Sequence, residues 1–168
     1  FGEGMHDFAA FTASVCNLRP SSRGEIRLVS ADPLAAPSIA PHYLSTDEDR
    51  QVAVDSLRLV RSIAAQAALA RFSPDEFKPG SALQSDAELL SAAAELGTTI
   101  FHPVGTAAMG SDSDPQAVLD ERLRVRGVEG LRVIDASAMP RITSGNTNSP
   151  TLMIAEKGAE MVLADALN

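Results

Sequence analysis

Two apolar stretches near the start of the chain have the pattern expected of β-strands. The first covers residues 8–18, and the second covers residues 24–30, where Ile26 and Leu28 alternate with polar neighbours. Residues 19–23 form the predicted turn between them. Repeated prolines in residues 31–45 exclude a regular helix there. A further short apolar strand is predicted over residues 131–137.

A long helix is predicted to follow the proline-containing segment. Ser45 and Glu48 have the spacing of a capping box, which marks a helix N-terminus. The apolar face predicted for this helix consists of Val52, Leu59, Val60, Ile63 and Ala67. The same capping spacing at Ser85 and Glu88 predicts a shorter helix that ends near Gly97.

The last helix is predicted to begin at Ser149, with Pro150 in the favoured first-turn position, and to run toward Asp165. Strands and helices do not alternate regularly along the chain. This order favours an α+β fold, with a mixed or antiparallel sheet covered by helices. We expect the last helix to pack away from that sheet.

Composition narrows the class of protein. The 168 residues are 45% hydrophobic and 21% charged, which indicates a globular domain with a core. The net charge of −8, with scattered Lys and Arg, argues against nucleic acid or an anionic membrane surface as a partner. No apolar run is long enough to span a membrane. The single cysteine, Cys16, fits a reducing compartment, so a cytoplasmic location is expected.

Several motifs are absent. Gly2 and Gly4 begin a G-x-G-x-x-G pattern, but Asp7 occupies its last position and no predicted strand precedes it. The chain also lacks a P-loop, a paired-cysteine zinc signature and a G-x-S-x-G elbow. Because the chain begins with Phe1 rather than Met, we expect it to be a piece of a longer protein.

Among the three histidines, His102 has the most informative context. Pro103 follows it and restricts its backbone, and Gly105 allows the chain to approach another group closely. His6 and His42 lie in segments where solvent exposure is the default. His102 is either a catalytic residue or a hydrogen-bonded structural histidine. A metal site is not expected, because no neighbouring ligands complete one.

The segment before the last helix is the second candidate. Gly145 gives backbone freedom, Asn146 and Asn148 offer amide groups, and the helix N-terminus carries partial positive charge suited to an anionic ligand. Alternatively, Asn148 or Ser149 only caps the helix. That alternative does not account for Asn146.

Four ordered blocks of the sequence resemble the C-terminal part of the glucose–methanol–choline (GMC) family of flavin-dependent oxidoreductases. They read RPSSRGEIRLVSADPLAAPSIAPHYL, FHPVGTAAMG, LRVIDASAMP and RITSGNTNSPTLMIAEKGAEMV. The version with NTNSP is similar to the choline dehydrogenase and general alcohol dehydrogenase branch. The resemblance implies a substrate-side domain, residues 1–168, whose last strand and helix return to an FAD-binding, Rossmann-like domain absent from this chain. FAD is the implied cofactor.

The resemblance also implies roles for individual residues. His102 matches the active-site histidine beside the flavin, and Asn146 matches a second active-site position, which is His in some branches. The positions that match FAD-contacting segments are Pro103, Asp135, Ala136, Asn148, Ser149 and Pro150. Many relatives carry Cys-Arg or Cys-Lys after the HPVGT block, whereas Ala107 and Ala108 stand here. This departure leaves the substrate class open.

The implied reaction is oxidation of a primary alcohol, choline-like or other, to the aldehyde. His102 would handle the hydroxyl proton while hydride passes to flavin N5, and the Asn146 amide would orient the oxygen. We expect these two side chains to lie close together, although 44 positions (146 − 102) separate them. The alternative is an inactive binding or scaffold module that retains the fold. Without the dinucleotide fingerprint, the isolated chain is expected to be inactive.

Overall fold

The computed structural model describes residue 4 and residues 6–167. The elements are β1 (Glu25–Arg27), β2 (Ser38–Ala40), α1 (Asp47–Ala64), α2 (Ala67–Ala70), α3 (Asp86–Leu96), a 3-10 turn (Ala136–Ala138) and α4 (Asn148–Ala166). The fold is therefore α+β, as predicted. It divides into two compact units, of which the first comprises Phe1–Asn17 and Thr46–Gly97 and the second comprises Leu18–Ser45 and Thr98–Asn168. Within the described residues, no helix is long and apolar enough to cross a membrane.

The first unit is built on α1 and α3, which pack against each other. The N-cap of α1 is Thr46, whose hydroxyl accepts a hydrogen bond from the backbone N–H of Asp49, so the prediction of a cap at Ser45 was wrong by one residue. Both Thr and Ser are good caps, and the sequence spacing could not separate them. The capping box of Ser85 and Glu88 is present as predicted at the start of α3.

Fewer apolar residues of α1 are buried than the helical pattern predicted. Val54 is buried, whereas Leu59 and Ile63 are more than half exposed. Ala67 does not belong to α1, because the helix ends at Ala64 and Ala67 begins α2. Leu89 on α3, in the same unit, is completely buried.

Arg61 joins α1 to the loop before α3. Its Nε and Nη2 atoms donate to the Glu76 carboxylate, each at 2.9 Å. Its Nη1 atom donates to the backbone oxygen of Leu83 at 2.8 Å, and Nη2 also donates to that of Gly80 at 3.1 Å. A planar guanidinium can satisfy these acceptors together, which an ammonium cannot. Arg61 therefore links α1 to three residues of the loop over residues 76–83.

Residues 8–18 do not form the predicted strand. A strand needs a neighbour for its backbone hydrogen bonds, and none pairs with this segment among the described residues. Phe8, Phe11 and Val15 are exposed. The segment is tied to α1 at its end, where Asn17 Nδ2 donates to the buried Asp49 carboxylate at 3.1 Å.

The second unit contains a short antiparallel hairpin. Its register pairs Glu25 with Ala40, Ile26 with Ile39 and Arg27 with Ser38. The strand predicted over residues 24–30 is thus shorter than expected, and its partner lies in the proline-containing segment that we predicted only to be non-helical. Pro37 and Pro41 directly flank β2. Proline has no backbone N–H to donate to a neighbouring strand, so these two residues limit the length of β2.

The core of the second unit is formed by residues between positions 104 and 154. Its buried members are Leu119, Leu123, Ala138, Met139 and Ile154. Leu119 is completely buried and forms isolated bridges with Met109 and Val125. The predicted strand over residues 131–137 is not a strand: Arg132 makes one bridge, with Arg124, and the chain then turns into the 3-10 turn.

Helix α4 packs closely on the segment that leads into the 3-10 turn. Gly158 is buried, and a Cβ placed on it would lie 2.5 Å from Cγ2 of Ile134. That distance is shorter than real carbon contacts, so the absence of a side chain at residue 158 is what lets the helix lie here. The prediction for this helix was wrong by one residue, because α4 begins at Asn148 rather than Ser149.

Asp165, near the end of α4, is bound by two arginines. Arg122 Nη2 donates to its carboxylate at 2.6 Å, and Arg132 donates to the other oxygen. The hydrogen bond from Arg132 is the main reason that the pKa of Asp165 lies below its usual value; partial desolvation opposes this shift, and the charges of Arg122 and Arg132 reinforce it. These bonds attach α4 to the preceding loops of the same unit.

The close packing at Gly158 generates a prediction for stability. Gly158→Ala gains about 1 kcal/mol of helix propensity, but the clash with Ile134 should cost about 1–3 kcal/mol, as overpacking does. We expect Gly158→Ala to lower the free energy of unfolding measured with denaturant. The same substitution should cost less in a protein that already carries Ile134→Ala. Ala159→Gly, an exposed position on α4, supplies the propensity control. If Gly158→Ala instead raised the free energy of unfolding by the full gain in helix propensity, the packing of α4 against Ile134 would tolerate a methyl group.

The ion pairs of Asp165 generate a prediction for pH dependence. A carboxyl whose folded pKa is lowered stabilises the fold above its unfolded pKa, about 3.9 for Asp, and this contribution is lost as pH falls through the folded pKa. Asp165→Asn should therefore lower the melting temperature at neutral pH, and the difference from the parent should shrink in acid. The control is Glu156→Gln, an exposed carboxylate on α4 without an ion pair among the described residues. An equal difference at both pH values would contradict this role.

Candidate active site

The loop that carries His102 is held against the 3-10 turn by backbone hydrogen bonds. Ala107 N donates to the carbonyl of Ser137 at 3.1 Å, and Met109 N donates to that of Ala138 at 3.0 Å. Gly105 has φ +88°, and a Cβ there would lie 3.4 Å from the Met139 carbonyl oxygen. The positive φ is what favours glycine at residue 105, because 3.4 Å is an ordinary van der Waals distance.

Two residues with unusual backbone conformations adjoin the candidate residues. Phe101, directly before His102, has φ +63°, and Ser144, two residues before Asn146, has φ +59°. A bulky residue in the left-handed region costs free energy that the surrounding structure must offset, and such residues cluster at functional sites. Thr99 Oγ1 accepts a hydrogen bond from Phe101 N at 3.0 Å, which supports this turn locally.

His102 contacts the start of α4. Its Nδ1 atom lies 2.8 Å from Oγ1 of Thr147, and the backbone N–H of Thr147 also donates to Nδ1 at 3.5 Å. His102 is half-buried and Thr147 is buried. Two sequence blocks that are 45 residues apart are thus joined at the histidine. Nε2 has no hydrogen-bond partner within the described part of the chain.

Asn146 precedes Thr147, so its backbone lies next to the residue that contacts His102. Its side chain is exposed and makes no hydrogen bond to His102 in the region that the structure describes. The structure thus brings the segment of Asn146 to His102 through Thr147. A shared ligand for both side chains remains a prediction.

The N-terminus of α4 is open. Its N-cap residue, Thr147, makes no side-chain cap hydrogen bond, and no acidic residue occupies the first turn. Asn148 and Ser149 are exposed, and Pro150 occupies the third helical position, within the first turn as predicted. An uncapped N-terminus of a long helix offers backbone donors and partial positive charge to an anionic group.

The other residues that the sequence assigned to cofactor binding have local structural partners. The Asp135 carboxylate accepts hydrogen bonds from Ser137 N at 2.8 Å and from Ser137 Oγ at 2.5 Å, so it caps the 3-10 turn. Ala136 packs against the core of the second unit. Pro103 is exposed beside His102.

Sequence reasoning did not identify Thr147. A signal existed, because Thr is a favoured N-cap residue and stands directly before the true first residue of α4. The predicted helix start at Ser149 assigned capping to Asn148 or Ser149, and Thr147 was passed over. Its contact with His102 depends on tertiary structure, which helix signals do not contain.

Comparisons with known proteins identify the family of the chain. The GMC oxidoreductase family profile matches residues 20–155. The oxygen-dependent choline dehydrogenase of Vibrio vulnificus (strain YJ016) is 44% identical over 162 residues, covering 96% of this chain and 29% of that protein. The alcohol dehydrogenase (acceptor) of Pseudomonas putida is 43% identical over 153 residues, covering 91% of this chain and 27% of that protein. The chain therefore spans less than a third of these curated relatives.

Solved structures show the same relationship. Pyridoxine 4-oxidase from Mesorbium loti superposes with a TM-score of 0.79 and 36% identity, covering 85% of this chain and 28% of that one. An FAD-dependent oxidoreductase from Chaetomium thermophilum gives a TM-score of 0.82 and 32% identity, covering 89% of this chain and 26% of that one. Since the family profile matches most of the chain, and sequence and structure agree with it, this chain belongs to the GMC oxidoreductase family.

Proposed function

We propose that this chain is the C-terminal, substrate-side part of an FAD-dependent oxidoreductase that oxidises a primary alcohol, choline-like or other, to the aldehyde. The observation that carries the proposal is the contact of His102 with Thr147, beside the open N-terminus of α4. A titratable side chain and a polarised helix end are the two features that proton removal and charge stabilisation require. The names of the relatives, choline dehydrogenase and alcohol dehydrogenase, support the substrate class.

The residues at the start of α4 fit a cofactor that carries negative charge. Bound FAD would supply the acceptor for the hydride that leaves the alcohol carbon. Asn148, Ser149 and Pro150 would hold it, because their turn is exposed, lacks a side-chain cap and has no acidic neighbour in the first turn. The Asp135 carboxylate is already hydrogen-bonded to Ser137. Asp135 and Ala136 would therefore act through the backbone shape of the 3-10 turn. Pro103 would restrict the adjacent loop.

His102 would handle the hydroxyl proton of the alcohol. An imidazole can accept that proton, or it can hydrogen-bond to the oxygen as the proton leaves, and such help contributes about 10²–10⁴ in rate. Hydrogen bonds to Thr147 fix the ring on one side, which leaves Nε2 for the substrate oxygen. The half-buried position of His102 limits competing water around the ring.

Asn146 would orient the same oxygen. An amide does not take a proton at neutral pH, but its NH₂ group can donate a hydrogen bond to an alcohol or alkoxide oxygen. Support comes from its exposed side chain and from its place directly before the residue that contacts His102. The two side chains would thus divide the work between proton handling and orientation.

A binding or scaffold module that keeps the fold without the chemistry is the second candidate. The exposed Phe8, Phe11 and Val15 favour it, because they offer apolar surface to a partner. The presence of both His102 and Asn146 favours the enzyme. A longer protein that contained this chain and a dinucleotide-binding fingerprint, but neither bound FAD nor oxidised alcohols, would favour the scaffold.

The catalytic assignment predicts a specific kinetic defect. In the full-length flavoenzyme, His102→Ala should lower kcat by about 10²-fold or more, because proton handling is lost. FAD should remain bound, as measured by the flavin absorbance of the purified protein. Asn146→Ala should cost less, because it removes orientation only.

The outcome that contradicts this assignment is near-normal turnover by His102→Ala, which would make the histidine structural. His42→Ala is the matched control. His42 is exposed, contacts the Arg23 carbonyl through Nδ1 and lies outside the candidate site, so turnover should be unchanged.

The incomplete-enzyme assignment predicts that the purified 168-residue chain with added FAD shows no alcohol oxidation. The chain lacks the glycine fingerprint that binds a pyrophosphate. Circular dichroism on the same sample should show helix, so that absent turnover is not caused by absent folding. Turnover by this chain would show that it is sufficient for catalysis.

A further inference from the structure

The segment that carries Asn146 has few hydrogen bonds of its own. It runs over residues 140–146, between the buried Met139 and the buried Thr147. This segment makes no backbone–backbone hydrogen bond among the described residues. Its conformation therefore depends on how its two ends are held and on side-chain contacts along it.

One side-chain contact holds the middle of this segment. Arg19 Nε donates to Oγ of Ser144 at 3.3 Å, across 125 positions of the sequence. Both residues belong to the second unit. Within the described part of the chain, this is the one hydrogen bond that residues 140–146 make. It lies two residues before Asn146, at the serine whose φ of +59° the surrounding structure has to offset.

The backbone around Arg19 has its own support. Steric contact with Pro20 favours extended backbone at the residue before it. Arg23 Nη1 donates to the carbonyls of Pro20 at 2.7 Å and Ser22 at 2.9 Å. Ser45 N donates to Ser22 Oγ at 3.0 Å, which joins this turn to the end of the proline-containing segment. Arg19 therefore extends from a hydrogen-bonded turn, and it begins the RPSSRG sequence, for which the proposed function has no role.

We propose that Arg19 is a positioning residue, which holds residues 140–146 so that the Asn146 amide reaches the substrate oxygen. This inference rests on the proposed function and deepens it. His102 keeps the role of handling the hydroxyl proton, and Arg19 acts only through Asn146. A small displacement of an orienting group lowers turnover strongly, so a contact two residues away from Asn146 affects the rate.

Kinetics of the full-length flavoenzyme test this role, with choline or 1-butanol as substrate, whichever the parent enzyme oxidises. Arg19→Met removes the hydrogen-bond donor, and Ser144→Ala removes the acceptor. Each should lower kcat about tenfold, because the displaced amide no longer orients the oxygen. The flavin absorbance should be unchanged. The pH at which kcat/KM changes should also stay the same, because His102 still handles the proton.

Arg141→Met is the matched control. Arg141 is exposed on the same segment and makes no hydrogen bond or ion pair among the described residues. This substitution removes an identical charge, so any effect of charge on the substrate or on FAD appears in both arginine variants. We expect turnover of Arg141→Met to be near that of the parent. A loss equal to that of Arg19→Met would overturn the inference, because charge alone would then account for the effect.

The decisive measurement is the effect of Arg19→Met in an enzyme that already carries Asn146→Ala. Residues that act through each other are not additive, so we expect no further loss of kcat in that background. The same loss with and without the Asn146 side chain would overturn the inference.

Failure of this inference is distinguishable from failure of the proposed function. If His102→Ala and Asn146→Ala lower turnover while the Arg19 and Ser144 variants do not, the proposed function stands and the role of Arg19 is wrong. If His102→Ala keeps normal turnover, the proposed function fails whatever the Arg19 variants show. Should Arg19→Met not fold, Ser144→Ala in the same two backgrounds decides, because it removes only one oxygen atom from an exposed side chain.

Discussion

The backbone hydrogen bonds that Ala107 and Met109 donate to Ser137 and Ala138 determine where His102 lies. They involve no side chains and hold the histidine loop beside the 3-10 turn. The buried cluster that contains Leu119 packs against the same segments, and its member Ile154 belongs to α4. One core therefore positions both the histidine loop and the helix whose N-terminus the histidine contacts. The chemistry proposed for His102 depends on that shared support.

The start of α4 combines two electrostatic features in a small space. The helix end lacks a side-chain cap and an acidic first turn, which leaves its partial positive charge available to an anion. At the same point the Thr147 hydroxyl contacts His102 and makes no side-chain cap hydrogen bond. A cap would have stabilised α4 by a modest amount, so local stability is lower at the point where we propose proton handling and charge stabilisation. Such departures from local rules are expected at functional sites.

The sequence predicted best the features that depend on neighbouring residues. The capping box at Ser85 and Glu88 lies within one helical turn, so its spacing is sufficient evidence. The strand predicted over residues 8–18 was wrong, because strand formation depends on a distant partner. The family resemblance correctly identified the class of protein. Its assignment of a catalytic role to His102 stays a prediction, and neither the resemblance nor the helix signals pointed to Thr147. The contact of Thr147 with His102 joins residues 45 positions apart, which a local pattern does not contain.

The account centres on one claim, that His102 is the chemically active group and that Thr147 acts through it. A double-mutant cycle in the full-length flavoenzyme tests this most directly, because residues that act through each other are not additive. Turnover is measured for the parent, His102→Ala, Thr147→Val and the double variant. We predict that Thr147→Val lowers kcat about tenfold when His102 is present and causes no further loss when His102 is alanine. An equal loss in both backgrounds would contradict the claim.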